Sequence, residues 1–83
     1  MNMDLSEIQE KIKAFLTEEF EVEEASIKPT AQLKKDLGID SLEVVDIVVE
    51  VEKEFGVKIK SEDFKEVKTF GDLCEFIERK VND

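Results

Sequence analysis

The sequence predicts an all-α protein: a small four-helix bundle, three longer helices plus one short helix, with a long loop between the first and second helices. Three observations predict it. Apolar residues recur at spacings of three and four along three separate stretches. Capping residues and glycines stand where those stretches begin and end. No two alternating runs pair convincingly as β-strands. The 83 residues leave room for one domain, taken here as residues 1–83.

The first helix is expected from about Asp4 to Phe20. Leu5, Ile8, Ile12, Phe15, Leu16 and Phe20 form one stripe, and Asp4 followed by Glu7 is a capping-box pattern. Residues 21–40 then hold the only proline, Pro29, and Gly38. Ile27, Leu33 and Leu37 are spaced to pin this loop to a core, with a short helical turn near Thr30–Leu33. A loop this long in a small domain is usually functional. The second helix is expected from Ser41 to near Phe55, with Gly56 as its stop. Val57-Lys58-Ile59 reads as a short extended piece, and Ser61–Phe64 as one brief helical turn. Thr69 caps a last helix with Phe70, Leu73, Cys74, Ile77 and Val81 on one side.

The valines of the second helix, at positions 44, 45, 48, 49 and 51, are poor helix formers, so a strand is the rival reading. Periodicity decides for a helix. At about 100° per residue from Leu42, the residues Val44, Ile47, Val48, Val51 and Phe55 form a core stripe. Glu43, Asp46, Glu50 and Glu54 form one acidic edge, while Leu42, Val45 and Val49 make a second apolar stripe away from the core. A strand would put Asp46 and Glu50 on the face of Val44 and Val48.

The charge pattern narrows the function. With 22 acidic and 12 basic residues the net charge is −10, which excludes nucleic acid and anionic membranes as partners and favours basic protein surfaces. No run of apolar residues can cross a bilayer, and no membrane insertion is expected. Half of the net charge lies between Asp40 and Glu54, where six acids face one base, Lys53. A lone cysteine, Cys74, makes no internal disulfide and reads as a buried inert thiol. Met1-Asn2-Met3 lacks the start of a signal peptide, so a cytoplasmic setting is expected. Histidine is absent, which removes the usual general base and the commonest metal ligand. No Asp-x-Asp-x-Asp-Gly calcium loop is present, and no metal site is expected. The chain therefore reads as a monomeric binding module and not an enzyme.

Its working end is Asp40-Ser41-Leu42. Asp40 with Glu43 fits a capping box, which would free the Ser41 hydroxyl; Ser41 as the cap fits equally well on spacing. Asp36-Leu37-Gly38-Ile39-Asp40-Ser41-Leu42-Glu43 resembles the attachment motif of acyl carrier proteins. The resemblance extends to the first helix, to Val22–Ile27 and to the acidic, valine-rich second helix ending Glu54-Phe55. It implies that a phosphopantetheinyl transferase places 4′-phosphopantetheine on Ser41. Acyl chains would then ride as thioesters on that arm and be presented to fatty-acid synthesis enzymes through basic docking surfaces. The resemblance also implies that Asp40, Leu42, Glu43, Val45, Asp46, Val49 and Glu50 make up the partner face, and that Val48 and Phe55 lie where acyl chains shelter. Val44, Ile39, Lys53, Lys58 and Lys60 depart from the family's usual pattern. The alternatives are a specialised freestanding carrier for polyketide or nonribosomal peptide assembly, or an acidic interaction module without a prosthetic group.

Overall fold

The computed structural model describes residues 4–82, apart from the side chains of Ser41 and Ser61. The readings of Met1-Asn2-Met3 and of the Ser41 hydroxyl lie outside the described residues. Four α-helices follow one another: α1 (Leu5–Glu19), α2 (Ser41–Phe55), α3 (Ser61–Phe64) and α4 (Phe70–Asn82). This is the expected bundle of three longer helices and one short one. Among the described residues the only strand-like pairing is an isolated antiparallel bridge between Gln32 and Thr69.

Each helix turns its apolar stripe inward. Ile8, Ile12 and Leu16 of α1 meet Leu73, Cys74 and Ile77 of α4, all of them almost wholly removed from solvent. Ile47 and Val51 of α2 close the same core. Burying each such aliphatic side chain is worth about 1.5–3 kcal/mol. Phe76 of α4, absent from the stripe read in the sequence, is buried as well and meets Phe64 of α3 edge-on at 6.2 Å. That contact holds the one-turn α3 against α4. No charged or polar residue is buried among those described, so the core is held by apolar contacts and shape.

The helix ends show which local signals won. Asp4 has the extended backbone of a cap, yet its side chain makes no capping hydrogen bond, contrary to the expected box with Glu7. α1 ends when Glu21 takes a left-handed φ of +56° and the Val22 N–H donates back to the Leu16 carbonyl at 3.2 Å, which turns Val22 onto the core. α4 begins with a reciprocal cap. The Asp72 N–H donates to Thr69 Oγ1 at 3.1 Å, and the Thr69 N–H donates to Asp72 Oδ2 at 3.3 Å.

The long loop is fastened rather than free. Ile27, Leu33 and Leu37 are buried as expected, and so are Ala31 and Ile39. Its helical turn falls at Glu24–Ser26, and residues 33–36 form a turn in place of the expected helix near Thr30. Asp36 closes that turn: its carboxylate accepts the Gln32 N–H at 2.7 Å, and its own N–H donates to the Gln32 carbonyl at 2.9 Å. Three backbone bonds then lash the loop to the start of α4. Leu33 N–H donates to Lys68 O, Phe70 N–H to Ala31 O and Gly71 N–H to Pro29 O, each at 2.9 Å. At Gly71 the chains approach so closely that a Cβ would stand 2.7 Å from the Pro29 carbonyl oxygen. After α2, Ile59 is buried, and its N–H is held by the Glu52 carboxylate at 2.9 Å.

Two outcomes follow from this packing. Gly71→Ala forces Pro29 away and is expected to cost roughly 1–3 kcal/mol, lowering Tm by about 5 °C or more; an unchanged Tm would mean the lashing is not tight. Burial, and secondarily the charge of Glu75, pushes the Cys74 thiol up from 9.0 to about 12. The folded state therefore keeps a proton that the unfolded state loses above about pH 9. This group's contribution to stability is complete below about pH 9 and fades toward about pH 12. At pH 8 a thiol reagent is expected to label native Cys74 at least about a hundredfold more slowly than the urea-unfolded chain, with labelling equally fast in both refuting its burial.

Candidate functional site

The entrance to α2 is built by three consecutive devices. Gly38 takes φ +66°, a left-handed conformation open to glycine at little cost, and turns the chain toward the helix. Ile39 then inserts into the core at 1% exposure, and its N–H donates to the Leu33 carbonyl at 2.8 Å. Asp40 finally caps the helix. Its Oδ1 accepts the Glu43 N–H at 2.9 Å, while the Asp40 N–H donates to Glu43 Oε1 at 3.3 Å. The two capping readings are thus decided in favour of Asp40. Ser41 is the first residue of the helix.

From that start α2 exposes what the helical phase assigned to the outside. Leu42 is 78% exposed, Val45 58% and Val49 41%, the three large apolar side chains left in solvent among the described residues. Exposing them forgoes burial energy that a purely structural helix would collect. The acids beside them divide into two sets. Glu43 is half-buried in the cap, Glu52 holds the Ile59 N–H, and Glu54 pairs with Lys11 of α1 at 3.3 Å. Asp46 and Glu50 are exposed, and their carboxylates make no hydrogen bond or ion pair within the described residues. The acidic edge read from the sequence is therefore partly structural, and only its middle is free. Asp40, Leu42, Glu43, Val45, Asp46, Val49 and Glu50 do come together, on the cap and first three turns of α2.

A groove of about 830 Å³ opens beside this face. Val44, Val45 and Val48 of α2 form one side, and Ile59, Phe64 and Val67 continue the apolar lining. Val44 and Val48 are only partly buried, so they border the groove as well as the core. Phe55, expected beside Val48, is not in the lining. Gln32, Leu33 and four lysines, Lys34, Lys35, Lys65 and Lys68, complete the lining, which holds no acid. Sequence reasoning missed this set. Lys34-Lys35 and the pair Lys65 and Lys68 lie far apart in the chain, and the Leu33–Lys68 backbone bond is what unites them.

Known proteins bear on the site. A family model described as the phosphopantetheine attachment site matches residues 10–77. The chain is similar to the acyl carrier protein of Thermotoga maritima, 41% identical over 75 residues that span 90% of this chain and 93% of that protein. It is also similar to the acyl carrier protein of Thermosynechococcus vestitus, 39% identical over 79 residues, covering 95% and 98% of the two chains. The chain belongs to the acyl carrier protein family, non-enzymatic carriers with covalently attached 4′-phosphopantetheine.

Proposed function

We propose that residues 1–83 act as a single carrier domain in which 4′-phosphopantetheine is esterified through its phosphate to the Ser41 hydroxyl. The arm supplies a terminal thiol on which acyl chains are held as thioesters for the enzymes of fatty-acid synthesis, in the cytoplasm. The observation that carries this reading is the Asp40 cap. It takes the capping position for Asp40 and starts α2 at Ser41, which puts the serine of the motif at the helix's first residue. The free amides and dipole of the helix end favour a phosphate there, while the Asp40 charge opposes it.

Each residue of the partner face has a part in this reading. Leu42, Val45 and Val49 offer apolar contact, and Asp46 and Glu50 offer unpaired charge to basic surfaces on the transferase and on acyl-processing enzymes. Asp40 and Glu43 hold the face in place and add to its field. A small face with exposed charge favours rapid encounter and easy release, which a carrier serving several enzymes needs.

Incubation with a phosphopantetheinyl transferase and coenzyme A is expected to raise the intact mass by one phosphopantetheine, and Ser41→Ala is expected to abolish the gain. No gain in the folded chain would refute the reading. In the same assay Asp46→Lys with Glu50→Lys, which spares the capping box, is expected to slow modification roughly tenfold at low salt. An unchanged rate would reduce the acids to a solvated edge.

A further inference from the structure

The lysine-lined groove is chemically at odds with the rest of the chain. Acids outnumber bases 22 to 12 overall, yet the groove presents Lys34, Lys35, Lys65 and Lys68 and no carboxylate. All four lysines are exposed, and none of their ammonium groups is among the hydrogen bonds or ion pairs of the described residues. Of the seven lysines elsewhere, three find acids: Lys11 with Glu54, Lys13 with Glu24 and Lys80 with Asp63. The fold itself gathers the four. Lys34 and Lys35 follow Leu33, whose N–H is bonded to the Lys68 carbonyl at 2.9 Å, and Lys65 lies three residues before Lys68.

We propose that this groove receives acyl cargo carrying a carboxylate at the end remote from the thioester, a dicarboxylic chain held through one of its acid groups. The proposal rests on the carrier reading above. It follows from charge complementarity. Val44 and Val45 stand three and four positions after Ser41, on the same side of α2, so the apolar lining begins one turn from the attachment residue. Val48, Ile59 and Phe64 extend that lining for a hydrocarbon body. The loop and the segment after α3 then supply the cations for an anionic tip. A plain hydrocarbon chain has no use for four unpaired ammonium groups. An anion among them relieves their mutual repulsion and is strengthened by the apolar surroundings.

The test compares two chains of equal length. The protein is loaded by the transferase from octanoyl-coenzyme A and from suberyl-coenzyme A, and intact mass confirms one acyl-phosphopantetheine in each. On net charge alone, a further negative group on a chain of −10 should lower Tm. The lysine groove reverses that sign: the suberyl form is expected to melt roughly 2–4 °C above the octanoyl form at low salt. The difference between the two loaded forms should vanish in Lys34→Gln with Lys68→Gln and in about 1 M salt. Loading with an equal or lower Tm for the suberyl form overturns this inference alone. A difference that survives the lysine substitutions overturns it too. Absence of any mass gain overturns the carrier reading and the inference with it.

Discussion

The reciprocal hydrogen bonds between Asp40 and Glu43 decide where α2 begins, and that position decides which way every later side chain of the helix points. A shift of one residue would rotate the helix's assignment by about 100°. Ile47 and Val51 would leave the core, and the exposed stripe of Leu42, Val45 and Val49 would lose its register with Asp46 and Glu50. The box does not act alone. Ile39, buried immediately before the cap, anchors the entry, and the Leu33 carbonyl holds its amide. The loop supporting Ile39 is itself lashed to α4 through Pro29, Ala31 and Lys68. A long and otherwise costly loop is therefore what aims the working helix.

The surface shows where the fold gives up stability. Three large apolar side chains of α2 face solvent although the core could use such groups. Two acids beside them have no cation, in a chain that already carries −10. On the adjoining groove four lysines have no acid. A sequence selected for stability alone would give these groups partners. In the proposals made above, keeping them apart would leave one acidic face for basic proteins and one cationic groove for cargo, with charge separating the two uses.

Much of this was legible in the sequence, because helical periodicity is a local signal. The bounds of α2, its three faces and the burial of Ile27, Leu33 and Leu37 follow from spacing alone. What escaped depended on contacts between distant segments. Phe76 falls off the apolar stripe of α4 and is buried only because Phe64 of α3 packs against it. The turn at residues 33–36 is a local miss: the Asp36 carboxylate captures the Gln32 amide four residues back, where the spacing suggested a helical turn near Thr30. Asp4 and Ser41 show the limits of capping patterns: the first box did not form, and the second had two equal candidates until the hydrogen bonds chose Asp40. Attachment chemistry was visible only through the resemblance of the whole motif to a family, since a serine at a helix entrance is usually just a cap.

The claim that Asp40, and not Ser41, begins α2 is tested most directly by comparing the urea unfolding of Asp40→Ala and Ser41→Ala in the unmodified protein. Loss of the cap is expected to cost about 1 kcal/mol in Asp40→Ala with an unchanged m value. Ser41→Ala is expected to stay within about 0.5 kcal/mol of the parent, since alanine is well tolerated at the first helical position. The opposite order of stabilities would contradict the claim, and with it the view that Ser41 is spared for attachment.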